Sequence, residues 1–215
     1  MRRCLIPLLL LAMFAPALAA DEPPKGFVAL FNGKNLDGWK ATGKMDVWGA
    51  ENGMIYVAGG GGGWLLTEKE YANYELRLEY KVPKMGNSGV ALRSPLQGDP
   101  AYVGMCKIPV LDHSLDRSGN SDPRQANGSA YGMVAAHRGY LRAPGQWNFE
   151  QVTVKGSTIT VELNGTTILE ADLSDVTDFL ANHPHPGKDR SSGHFGISGH
   201  TDPVQFRNIH IKRLP

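Results

Sequence analysis

Residues 74–82 read Tyr-Glu-Leu-Arg-Leu-Glu-Tyr-Lys-Val, nine positions of unbroken alternation. Side chains leave a strand on opposite faces with period two, so Tyr74, Leu76, Leu78, Tyr80 and Val82 make one apolar row. Glu75, Arg77, Glu79 and Lys81 make the other, which reads as a solvated face with cross-strand ion pairs. Such a strand needs neighbours at its edges and a second layer over its apolar face. The chain supplies them. Residues 149–155 and 158–163 are two further strands joined by Gly156-Ser157, and Asn164-Gly165 turns into residues 167–170. Glu51-Asn52-Gly53 sits between Val47-Trp48 and residues 54–57 as another hairpin. Residues 64–67, 195–197 and 204–212 add strands, with Trp39, Phe206, Ile209 and Ile211 as core candidates. A short strand is expected over 129–133. One helix is expected, over 174–180: Ser174 caps it, Asp175 and Asp178 suit its first turn, and Val176, Phe179 and Leu180 share a face. The pattern predicts an all-β chain, a two-sheet sandwich or a barrel.

The 215 residues suit a single domain. Lys and Arg number 22 against 21 Asp and Glu, so charge offers no footing for nucleic acid or an anionic membrane surface. Residues 1–20 form a separate unit. Arg2 and Arg3 precede an apolar run, and Ala17-Leu18-Ala19 is a small-residue cleavage site, the pattern of a secretory signal peptide. The mature domain is then 21–215, secreted or periplasmic, with no membrane association after cleavage. Cys4 leaves with the leader. Cys106 remains alone, so no internal disulfide is available, and it reads as a buried, inert thiol. The five glycines at 59–63 are followed by neither Gly-Lys-Ser/Thr nor a helix pattern, and read as a loop rather than a phosphate cradle.

The stretch 86–113 is the candidate site. In Gly86-Asn87-Ser88-Gly89-Val90-Ala91-Leu92-Arg93, Val90 and Leu92 share one face, with Gly89, Ala91 and Arg93 opposite. In Lys107-Ile108-Pro109-Val110-Leu111-Asp112-His113, Ile108 and Val110 share a face, with Lys107 and Pro109 opposite. The small residues make room for a ligand, and Asp112-His113 at the strand end offers a base, an acid or metal ligands. The competing reading of Asp112 is a turn residue. None of the seven histidines falls in a helical zinc motif, though His113, His137 and His200 can meet where sandwich loops converge. No Gly-x-Ser-x-Gly elbow is present, and no compact carboxylate pair of the ordinary glycosidase kind.

The run Gly26-Phe27-Val28-Ala29-Leu30-Phe31-Asn32-Gly33-Lys34-Asn35-Leu36-Asp37-Gly38-Trp39 resembles the opening of the 3-keto-disaccharide hydrolase domain family. Further matches follow in order: Gly86-Asn87-Ser88-Gly89 through Arg93, Val110-Leu111-Asp112, Tyr131-Gly132, Gly145-Gln146-Trp147-Asn148, residues 159–165, Gly196-Ile197-Ser198-Gly199-His200, and residues 206–211. The resemblance implies a concanavalin A-like jelly roll of two antiparallel sheets. It also implies action on glycosides or disaccharides oxidised at C3. A C3 ketone acidifies the C2 proton, so a base removes it, the C1 substituent leaves, and water adds back. The resemblance carries Asn87, Arg93, Tyr131 and His200 over as sugar contacts. It makes Asp112 or His113 the base, with a divalent metal held by Asp112 and His113 as a further possibility.

One departure from the family pattern stands out. Family members commonly carry Glu-x-Gln-x-Leu-Asp up to the position of Asp112. Here Lys107 replaces the glutamate and Pro109 the glutamine. Lys107 is therefore a further candidate substrate contact. The same departure keeps open a second reading, a non-catalytic carbohydrate-binding jelly roll.

Overall fold

The computed structural model describes residues 22–58, 61–113, 121–200 and 202–215. The expected signal peptide, two of the five glycines and part of the polar loop after His113 lie outside the described residues.

Two antiparallel sheets pack face to face as a jelly-roll sandwich. The first strands are β1 (Val28–Ala29), β2 (Trp39–Ala41), β3 (Trp48–Glu51), β4 (Met54–Val57), β5 (Gly63–Tyr71), β6 (Tyr74–Lys81), β7 (Asn87–Ser94) and β8 (Cys106–Leu111). The rest are β9 (Trp147–Lys155), β10 (Thr158–Leu163), β11 (Thr166–Asp172), β12 (Gly193–Gly199) and β13 (Gln205–Arg213). The larger sheet runs β11-β10-β9-β6-β13-β4-β3, with β1 added on β13, and the smaller runs β2-β5-β12-β7-β8.

The alternation in β6 does what its sequence requires. Tyr74, Leu76, Leu78 and Tyr80 are wholly buried between the sheets, with Val90, Leu92, Ile108, Val110, Phe195 and Ile197 facing them from the smaller one. Trp39 caps this core and meets Phe195 edge-on at 5.8 Å. The charged row of β6 stays outside: Arg77 pairs along the strand with Glu75 at 2.7 Å and donates across to Gln151 of β9 at 2.8 Å, and Glu79 pairs across with Arg207 of β13 at 2.7 Å. Asn52-Gly53 and Asn164-Gly165 both take positive φ, as two-residue hairpin turns demand.

Three expectations change. The helix over 174–180 is absent. Asp172, not Ser174, caps a 3-10 turn at Leu173–Asp175, and a second 3-10 turn covers Leu180–Asn182. Seven residues that include two Asp and the β-branched Val176 and Thr177 hold too little propensity to nucleate a helix against that competing cap. Residues 129–133 form a turn closed by one bridge, Ala130 to Val134, rather than a strand. The helix that does form is α1 (Pro100–Val103), started by the Asp99 side chain on the Ala101 N–H and by Pro100 at its first position.

Candidate active site

The outward face of the smaller sheet is the floor of a cleft of about 910 Å³. Trp64 of β5 lines it and packs with buried Leu66 of β5 and Ala91 of β7 in a small apolar cluster separate from the main core. Small residues between them serve close packing. A Cβ on Gly196 would lie 2.2 Å from Leu66 Cδ2, and one on Gly89 would lie 2.5 Å from Lys107 Cε. The long side chains therefore fold flat across the glycines.

Lys107 lies on β8, the edge of its sheet, facing outward with Pro109 and Leu111. The segment 127–131 covers that edge. Tyr131 N–H donates to the Lys107 carbonyl at 3.0 Å and Gly128 N–H to the Pro109 carbonyl at 2.9 Å, while the Asn127 side chain accepts from Leu111 N–H at 3.0 Å. A strand residue presents its N–H and C=O to the same side, so a proline here removes no bond to β7. The same edge contact sets Tyr131 beside Lys107. The ammonium lies 5.3 Å from the Tyr131 ring centre and 5.9 Å from that of Trp64. Burial lowers the Lys107 pKa, partly opposed by Asp99.

The walls come from loops. α1 supplies Tyr102, preceded by Asp99, and residues 121–126 supply the opposite side. Tyr102 is braced from behind by His183 and His185, at 4.0 and 5.1 Å between ring centres, and meets Tyr131 edge-on at 6.1 Å. Burial, reinforced by Tyr131, raises the Tyr102 phenol to about 12. His200 stands at the rim with its pKa lowered, first by desolvation and then by the Lys107 cation.

Asn87, Lys107, His113, Tyr131 and His200, all named from the sequence, line this cleft. Arg93 does not. Between Ser94 and Ala91 β7 advances three residues while β12 advances two, and Arg93 itself has φ 46°. This bulge breaks the alternation and swings the side chain out of the outward row. The guanidinium instead ties loops together, donating to the carbonyls of Ala72, Gly156 and Arg190 at 2.8, 2.7 and 2.8 Å. Asp112 is also buried and does not line the cleft. Its Oδ2 accepts the Met85 N–H at 2.8 Å, bracing the turn that leads into Asn87. Among the described residues no three His, Cys, Asp or Glu side chains are grouped to hold a metal ion. Of the two candidate metal ligands, His113 lines the cleft and Asp112 does not. Cys106 is buried, with its thiol raised to about 12 by desolvation.

Trp64, Asp99 and Tyr102 were not foreseen as site residues. Trp64 and Leu66 alternate with buried Leu65, a pattern that marks a second apolar face on β5. Asp99-Pro100 is a helix-start signal that would have placed Tyr102 on a short helix.

A 3-keto-disaccharide hydrolase from Bacteroides thetaiotaomicron is 29% identical to this chain, over 88% of it and 79% of that protein. A crystal structure from Parabacteroides distasonis, provisionally labelled a glycosyl hydrolase, superimposes with TM-score 0.77 at 29% identity, covering 87% of this chain and 99% of the other. A carbohydrate-binding module from Bacillus subtilis matches at TM-score 0.55 and 13% identity, over 83% of this chain and 98% of its own, which speaks to the concanavalin-like fold alone. The profile of the 3-keto-alpha-glucoside-1,2-lyase-like domain matches residues 26–212. The chain belongs to that family of 3-keto-alpha-glucoside-1,2-lyase-like domains.

Proposed function

We propose that this protein cleaves glycosides whose sugar carries a ketone at C3, by removing the C2 proton, expelling the C1 substituent and adding water back. The observation that supports this most is the joining of a cation, a neutral nitrogen base and aromatic faces in one cleft on the smaller sheet. A sugar ring stacks its C–H face on Trp64, and Asn87 on the floor hydrogen-bonds a hydroxyl. Lys107 meets the C3 oxygen. His200, held below the usual histidine pKa, is an uncharged imidazole near neutral pH and takes the proton from C2. The C1–O bond then breaks, and the leaving oxygen takes a proton from Tyr102, whose phenol stays protonated to about 12. Water adds across the C1–C2 double bond, with hydroxyl to C1 and hydrogen to C2, and the His200 proton returns through solvent to Tyr102, so one water is consumed in all and both groups are restored. The name of the Bacteroides relative favours a disaccharide as substrate, and the signal-peptide pattern of residues 1–20 supports a reaction outside the cytoplasm.

Incubation with 3-keto-trehalose or a 3-keto-glucoside, beside the unoxidised sugar, tests the reading. Release of the C1 substituent from the oxidised sugar only is expected. Binding of either sugar without release, or release from the unoxidised one, would contradict it.

A further inference from the structure

The oddest group in the cleft is Lys107. It is the cation that replaces the glutamate of the resembling family, and its side chain is 9% exposed. Its stem crosses Gly89, where a Cβ would lie 2.5 Å from Lys107 Cε, and its amine ends between two aromatic faces. No carboxylate among the described residues lies within ion-pair distance of it. A lysine needed only as a charge is better served by a carboxylate partner or by water. A lysine desolvated against apolar surface is instead the arrangement that makes an amine nucleophilic toward a carbonyl.

We propose that Lys107 captures the C3 ketone of the sugar as a covalent imine. This rests on the reading of the substrate as a 3-keto-glycoside. The amine lone pair forms the C3–N bond as the carbonyl π pair moves to oxygen, and one N–H proton passes to that oxygen. The resulting hydroxyl leaves as water, taking a proton from solvent, and a protonated imine remains. That imine is a stronger electron sink than the ketone. His200 takes the C2 proton, and the C–H pair becomes the C2–C3 double bond of an enamine. The nitrogen pair then pushes out the C1 oxygen, which takes a proton from Tyr102 and leaves as the alcohol, and the His200 proton passes through solvent to restore Tyr102. One water adds across C1–C2, and a second hydrolyses the imine, returning the borrowed proton and the free amine. One water is released and two are consumed, so the net reaction is unchanged.

The protein is incubated with methyl 3-keto-glucoside and sodium cyanoborohydride, which reduces an imine to a stable secondary amine, and the peptides are read by mass spectrometry. The adduct is expected on Lys107 in the wild type and absent from Lys107→Met. Lys107→Arg keeps the positive charge but cannot form the imine, and circular dichroism checks its fold. It is expected to lose turnover by at least about 100-fold. If the wild type cleaves the substrate but carries no adduct at Lys107, or if folded Lys107→Arg keeps wild-type turnover, the imine is overturned while the substrate reading stands. An adduct at Lys107 without cleavage supports carbonyl capture and overturns the cleavage. Neither adduct nor cleavage overturns both.

Discussion

At the scale of single residues, the site depends on how Lys107 is held, and Gly89 is the lever on it. A methyl group at Gly89 would meet Lys107 Cε at 2.5 Å and the Ile108 carbonyl at 3.1 Å. The lysine stem can swing aside, because it is the far end of a flexible chain, but its amine then leaves the gap between Trp64 and Tyr131. Gly89→Ala is therefore expected to lower Tm by no more than about 4 °C. It is expected to reduce kcat/KM on a 3-keto-glucoside by about 10- to 100-fold, the usual cost of displacing a reacting group by an ångström. Thermal unfolding and steady-state kinetics on the same preparation check both. Arg93 and Asp112 belong to the same scale in the opposite sense. Both looked chemically active in the sequence, yet Arg93 donates to three loop carbonyls and to the Asn73 side chain, and Asp112 accepts the Met85 N–H.

At the scale of elements, β9 carries an unusual burden. Its inward row is Asn148, Glu150, Val152 and Val154, so the alternation that places two valines in the core also places a glutamate there. Glu150 is wholly buried, neither carboxyl oxygen has a hydrogen-bond partner among the described residues, and burial raises its pKa to about 8. Below the ordinary glutamate range, folded and unfolded chains both hold the proton, and no penalty arises. As pH rises toward 8 the unfolded chain ionises while the folded one stays protonated, so stability falls across that window, by on the order of a few kcal/mol. Above it both forms are charged and the loss is constant. Glu150→Gln is therefore expected to shrink the drop in Tm between pH 5 and pH 9, measured against the wild type. An equal or larger drop in the variant would mean that Glu150 is not the titrating group. β8 shows how an edge strand accepts proline: its free side is sealed by residues 127–131, and that seal also brings Tyr131 to the cleft.

At the scale of the whole molecule, strands and hairpins were readable because each is a local pattern: the alternation of residues 74–82, and the Asn-Gly turns with positive φ. The pairing of faces was readable too, since Val90, Leu92, Ile108 and Val110 all went inward as their parity required. Arg93 was misplaced because a bulge depends on the partner strand, and nothing within residues 86–93 announces that β12 is one residue shorter there. The expected helix at 174–180 failed because its capping signal was shared with Asp172. Part of the cleft was visible, in Asn87, Lys107, Tyr131 and His200. The walls were not, because Asp99 and Tyr102 act through loop placement that only the assembled sandwich determines.

In the proposed reaction the glycosidic bond breaks only through loss of the C2 proton. Turnover of a 3-keto-glucoside in deuterium oxide, quenched early and read by NMR or mass spectrometry, tests it most directly. Deuterium is expected at C2 of the released 3-keto sugar from the first turnover, above an enzyme-free control. Release of the C1 substituent with protium retained at C2 would contradict it.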